Sequence, residues 1–291
     1  MARIAIVGAA GQLGTALRRH AAFSDDETIA LDRSSIDVVD PDAVMEVLNA
    51  TRPELVINAA AYNLVDRAED EPHVAYAVNA LGPRNLARWC EAQDAVLLHV
   101  STDYVFCGTA NRIARNEPYG EEDAPRPVSA YGVSKLAGEY FVRSLCRRHF
   151  VVRTCGLYGH TGGAKGNFVE TMLRLGRERS ELRIVDDQHC TPTSVADLAD
   201  VLTALVKTDA HGLYHATSAG QTTWFRFACE IFRQSRMTID VQPITSAEFG
   251  AKAQRPTYSV LDCGRLTRQL GRPLATWQDA LARYLKQRPA G

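Results

Sequence analysis

The chain has 291 residues, 46% of them hydrophobic and 23% charged, with a formal net charge of −1. That length accommodates one large domain plus a smaller one, and the balanced charge gives no reason to expect nucleic acid or a membrane surface as a partner. Seven cysteines (Cys90, Cys107, Cys146, Cys155, Cys190, Cys229 and Cys263) are scattered without a Cys-x-x-Cys pair, which speaks against a zinc cluster or a disulfide framework and fits a reducing cytoplasm. The apolar run Ile4 to Val7 is too short for a signal-peptide core, and no stretch approaches the length of a membrane span.

In chain order, Arg3 to Val7 reads as a buried strand that runs into a glycine turn, and Gln12 to His20 as the helix that follows. Thr28 to Leu31 is a second short strand ending at Asp32. Pro41 to Asn49 is a helix capped by Asp40, and Leu55 to Asn58 a third strand. Val74 to Ala92 forms a long helix that Gly82 and Pro83 must distort. Ala95 to Val100 is the next strand, Ser129 to Leu145 a helix, and Phe150 to Arg153 a further strand. Short apolar runs alternating with amphipathic helices predict an α/β fold, a doubly wound parallel sheet over residues 1–160.

After about residue 155 the rhythm loosens. Gly156, Gly159, Gly162, Gly163 and Gly166 suggest a flexible connection into a helix from about Asn167 to Leu175. Sheet-like segments (Leu182 to Val185, Leu213 to His215) then alternate with helices (Val195 to Leu205, Trp224 to Arg233, Thr276 to Leu285). A smaller α/β lobe over 161–291 is expected, with segments within 181–217 completing the main sheet.

Three clusters carry chemistry. Gly8-Ala9-Ala10-Gly11-Gln12-Leu13-Gly14 lies between a strand and a helix, where missing side chains let the backbone approach a pyrophosphate. Asp32 ends the next strand, near the spacing of a carboxylate that binds the adenosine ribose, and Arg33 beside it can meet a 2′-phosphate or simply be solvated. NADPH and NADH both remain open. Tyr131 and Lys135, four residues apart on one helix, place a phenol and an ammonium on one face, where the cation can lower the phenol pKa. Ser101-Thr102-Asp103-Tyr104 follows a strand at its carboxyl end, where a hydroxyl can stabilise negative charge on a carbonyl oxygen. Elsewhere, Asp186, Asp187, His189 and Cys190 read as a loop that shapes a pocket, His99 as a hydrogen-bonded core residue, and Trp224 with Phe225 as lobe packing.

The sequence resembles the extended short-chain dehydrogenase/reductases, and more narrowly the dTDP-4-dehydrorhamnose reductase family. The matching blocks run almost end to end: the glycine turn with Gln12 and Leu13; Asn58-Ala59-Ala60-Ala61-Tyr62 with Val65-Asp66 and Ala68-Glu69; Ser101 to Phe106; Tyr131-Gly132 with Ser134 to Glu139; Asn167-Phe168 with Thr171 to Arg174; Asp187-Gln188 with Pro192-Thr193; and Arg255-Pro256 with Ser259. The resemblance implies hydride transfer to the C4 ketone of dTDP-4-dehydro-β-L-rhamnose, with Thr102, Tyr131 and Lys135 as the catalytic trio. It places Gly8, Ala10, Gly11, Gln12, Leu13, Gly14, Asp32, Arg33, Asp37, Val38, Ala59, Ala60 and Ala61 along the cofactor together with Tyr131 and Lys135, the lysine holding the nicotinamide ribose, and Asn63, Val65, Asp103, Tyr104, Gly156 and Asn167 along the nucleotide sugar.

Two positions depart from the family pattern. Gly156 stands where a tryptophan is usual, and Asn63 where a threonine is common. Tyr158 is the candidate to fill the gap. A tryptophan put back at 156 is expected either to tighten dTDP-4-dehydrorhamnose binding or to block a bulkier natural sugar. A related keto-sugar is therefore the alternative substrate, and a regulatory role like that of the methionine adenosyltransferase β subunit, which the family resembles, the alternative function. Some members are dimers bridged by magnesium through acidic residues, but Thr15 and Ala16 offer no carboxylate. No metal is expected, and the assembly is a monomer or a homodimer.

Overall fold

The computed structural model describes residues 1–160 and 166–288. Six strands form one parallel sheet: β1 (Arg3–Val7), β2 (Glu27–Leu31), β3 (Leu55–Asn58), β4 (Val96–Thr102), β5 (His149–Thr154) and β6 (Gly212–His215). Their order in space is β6-β5-β4-β3-β1-β2, so the winding direction reverses between β1 and β3. Loops diverge there and leave a crevice at the carboxyl ends of the strands.

Side-chain alternation explains the layers. Ile4 and Ile6 face one apolar cluster with Leu13, Leu17, Val152 and Leu202, whereas Ala5 and Val7 face another with Leu48, Leu86, Trp89 and Val142. The long helix expected over Val74 to Ala92 begins at Pro72 and is interrupted. Pro72–Tyr76 and Gly82–Ala92 are α-helical, and Ala77–Leu81 between them is a π turn. Pro83 cannot donate to the ladder and crowds the carbonyl four residues back, and the wider turn absorbs this.

Of the segments expected to complete the sheet, Gly212–His215 pairs in parallel with β5, whereas Glu181–Val185 pairs with Asp240–Ile244 in a separate two-stranded ribbon. The second half of the chain builds its own cluster from Tyr158, Val169, Leu173, Phe227, Phe232, Trp277 and Leu281. Gly162 and Gly163 of the expected glycine connection lie outside the described residues. Among the described residues no helix is long and apolar enough to cross a membrane.

Candidate active site

At the end of β1 the chain turns at Gly8, whose φ of +80° favours glycine. A Cβ there would sit 2.6 Å from the Ala60 nitrogen and 2.8 Å from the Ala59 carbonyl carbon, and one at Gly14 would sit 2.3 Å from the Gly8 oxygen. The turn, the Gln12–Arg18 helix and the Ala59 to Ala61 segment thus meet backbone to backbone at the switch point, a cradle that fits a dinucleotide pyrophosphate. Ala60 is fixed by donating its N–H to Asn58 Oδ1 at 3.1 Å, and Asn58 in turn contacts His99 at 3.1 Å in the core. Ala10 is exposed beside the turn.

Asp32 ends β2, where its Oδ1 accepts from the backbone N–H and hydroxyl of both Ser34 and Ser35. Those bonds, the Ser34 hydroxyl first, hold the carboxyl below its usual range. Arg33 is exposed on the same turn, and Asp37 Oδ1 accepts from the Val39 N–H. The Val38 side chain is buried against Gly82, and its carbonyl accepts from the Asn85 side chain at 3.0 Å.

The Ala130–Leu145 helix begins at Ser129, whose hydroxyl accepts from the Gly132 N–H. Its first turn is pressed onto the strand-end loop, since a Cβ at Gly132 would lie 2.4 Å from the Tyr104 oxygen. The Tyr131 phenol lies beside the Thr102 hydroxyl, which donates to Asp103 Oδ1 at 3.1 Å, and the Tyr131 ring meets Tyr104 edge-on at 5.8 Å. Lys135 is buried and donates to the Val100 carbonyl at 2.6 Å.

The expected lowering of the phenol pKa by Lys135 is not what these surroundings produce. Burial dominates and pushes Tyr131 up to about 12, with the neighbouring Thr102 hydroxyl opposing it. Burial likewise pulls Lys135 down to about 8, against the pull of Glu139 one turn further on. Glu139 was legible only as part of a family block. It is buried against Arg153 at 2.7 Å and accepts from the Ser101 hydroxyl at 2.5 Å, so the Tyr131–Lys135 helix face is anchored to β4 and β5 by a satisfied buried pair.

Several residues expected along the sugar are joints of the scaffold. Asp103 turns inward, accepting from the Ser259 hydroxyl at 2.5 Å and from Thr102 at 3.1 Å, and burial raises its carboxyl to about 6. Asn167 caps the Phe168–Glu178 helix and donates to the Gly159 carbonyl at 2.9 Å and to Gln12 at 3.1 Å, linking the lobe to the first helix. Asn63 is exposed, and Val65 opens a short helix whose Asp66 pairs with Arg255 at 2.7 Å. The Arg255 guanidinium also lies beside the Tyr104 side chain, although sequence reasoning singled it out only within a family block.

Tyr158 does not fill the space at Gly156. It is 1% exposed, packed between Phe227 and Tyr284. Gly156 has φ +50°, and a Cβ there would lie 3.1 Å from Trp224 Cη2 and 3.3 Å from Pro192 Cα. A tryptophan at 156 would therefore need Trp224 to give way and would strain a left-handed backbone position. Asp186 and Asp187 accept from Thr223 and Ser246.

A family model described as the RmlD substrate binding domain matches residues 2–289. A dTDP-4-dehydrorhamnose reductase of Streptomyces griseus is 43% identical over 288 residues, covering 95% of this chain and 90% of the relative. The spore coat polysaccharide biosynthesis protein SpsK of Bacillus subtilis is 36% identical over 290 residues, covering 99% and 98%. The crystal structure of dTDP-4-dehydrorhamnose reductase from Bacillus anthracis in complex with NADP is similar at a TM-score of 0.93 and 40% identity, covering 99% of each chain.

Proposed function

The chain belongs to the dTDP-4-dehydrorhamnose reductase family, and we propose that it reduces the C4 ketone of dTDP-4-dehydro-β-L-rhamnose to the alcohol with NADPH or NADH. The observation that carries this reading is the meeting of Thr102, at the carboxyl end of β4, with the Tyr131–Lys135 face of the Ala130–Leu145 helix, which Lys135 ties to the Val100 carbonyl, beside a cradle at Gly8 and Gly14 that excludes side chains. When bound there, the reduced nicotinamide supplies the hydride that converts the carbonyl carbon to an alkoxide carbon.

The chain's own groups supply the rest. Tyr131, raised to about 12, carries its proton at neutral pH and gives it to the alkoxide oxygen. Thr102 holds that oxygen with its hydroxyl. Lys135 is a cation below about pH 8, and its charge stabilises the phenolate left behind until solvent returns the proton. The Arg255–Asp66 pair beside Tyr104 fixes the loop that frames this oxygen.

The test is NADPH oxidation by the purified chain alone with dTDP-4-dehydrorhamnose, against a panel of other dTDP-keto-sugars. Turnover of that sugar in preference to the others supports the reading. Preference for another keto-sugar would reassign the substrate, and no turnover without a protein partner would favour the regulatory alternative.

A further inference from the structure

Across the carboxyl edge of the sheet, β1 and β3 carry the dinucleotide cradle, β4 carries Thr102, and β5 leads to Gly156. Thr102 is the register partner of Thr154 on β5, so Gly156 lies just past the strand-end level of the catalytic hydroxyl, on its far side from the cradle. A carbonyl held at Thr102 and approached from the cradle can extend its own ring toward β5, where a side chain lining that side would meet the sugar.

That lining is Trp224, the first residue of the Trp224–Gln234 helix. Its Cη2 stands 3.1 Å from where a Cβ of residue 156 would be, so the left-handed glycine and the indole tip are complementary, and a larger side chain at 156 would need the ring to shift. The indole is half-buried. Phe168 backs it at 4.8 Å and Phe227 at 6.4 Å, and both belong to the packed lobe cluster, which holds the ring more firmly than a loop would.

We propose that Trp224 stacks against the hexose ring of the nucleotide sugar and is a specificity-determining residue of this site, reaching from a helix of the second half of the chain into the space that Gly156 leaves. A flat apolar ring suits the face of a deoxysugar, which offers C–H groups and a methyl in place of a hydroxyl. The inference rests on the reductase reading, and its test is chosen so that the two can fail separately.

The experiment is calorimetric titration of dTDP-L-rhamnose, and of dTDP alone, into the wild type, Trp224→Leu and Trp224→Phe, with melting curves for each. Trp224→Leu keeps apolar bulk against Phe168 but removes the ring, and it should weaken dTDP-L-rhamnose about tenfold while dTDP shifts by less than about twofold. Trp224→Phe should retain most of the affinity. Unchanged dTDP-L-rhamnose affinity in Trp224→Leu overturns the proposal. So does an equal loss for dTDP, which would mean that the indole only props the lobe. Binding by the wild type and the stated loss in Trp224→Leu, with no oxidation of NADPH by the wild type with the keto-sugar, overturn the reductase reading alone. No binding of dTDP-L-rhamnose to the wild type overturns both.

Discussion

At the scale of single residues, Tyr131 keeps its proton until about pH 12, so Tyr131→Phe should lower turnover by ~10²–10⁴-fold, the range for a positioned acid. NADPH affinity, measured by fluorescence titration, should stay near that of the wild type, because the cradle at Gly8 and Gly14 is untouched. The pH profile belongs to the lysine. Its pKa lies below the ordinary value, near 8, so the cation is present at lower pH and is lost as pH rises through that value. The kcat/KM for reduction should accordingly be level below about pH 8 and fall above it, and Lys135→Arg, charged throughout, should abolish that alkaline limb. A limb unchanged in Lys135→Arg would assign it to another group. Arg33→Ala should raise the KM for NADPH more than that for NADH, since Asp32 is committed to Ser34 and Ser35 through one oxygen while Arg33 is exposed beside it. Equal effects would show that the guanidinium points away from the ribose. The four-residue spacing of Tyr131 and Lys135 was legible in the sequence because helical geometry fixes it. The sign of the phenol shift was not, because it depends on burial by β4 and on Lys135 donating to the Val100 carbonyl. Trp224 packs against the lobe cluster as its sequence context predicts, but nothing local in the sequence shows that it also stands next to Gly156.

At the scale of elements, the closest helix contact in the dinucleotide half is set by one glycine. A Cβ on Gly138 would lie 2.2 Å from the Asn79 carbonyl oxygen in the π turn, and the Asn79 side chain is locked there by Tyr62 and Ser134 at 2.8–3.0 Å. Gly138→Ala should therefore force the helices apart and cost about 1–3 kcal/mol, read as a lower denaturant midpoint with an unchanged slope. Gly120→Ala, whose nearest neighbour would be 3.8 Å away, should be nearly neutral. The main strands and long helices were legible because each carries a full period of burial. The strand Asp240–Ile244 was not: it is mostly exposed and contains Pro243, which a pattern reading counts against a strand but which an edge position tolerates. The two-residue pairings Leu157–Tyr158 with Thr193–Ser194 and His189–Cys190 with Thr222–Thr223 are too short to show any period at all.

At the scale of the whole molecule, the two sides of residue 160 share one sheet and one core. The second half supplies β6, which pairs with β5 along Gly212 to His215. It also supplies the Val195–Leu205 helix, whose Val195, Leu198 and Leu202 share a cluster with Ile4, Ile6, Leu17, Phe150 and Val152. Polar ties reinforce the union: Asn167 with Gln12, Asp103 with Ser259, and Asp66 with Arg255. A fragment of residues 1–160 would leave β5 as a bare apolar edge and expose one face of the sheet, a loss far larger than the few kcal/mol by which domains are stable. We therefore expect that fragment to lack cooperative thermal unfolding and amide dispersion, and the intact chain to unfold in one calorimetric transition whose van't Hoff and calorimetric enthalpies agree. A 1–160 fragment that melts cooperatively would show that the dinucleotide half is a folding unit by itself, and that β6 and its flanking helices only cover an already stable sheet.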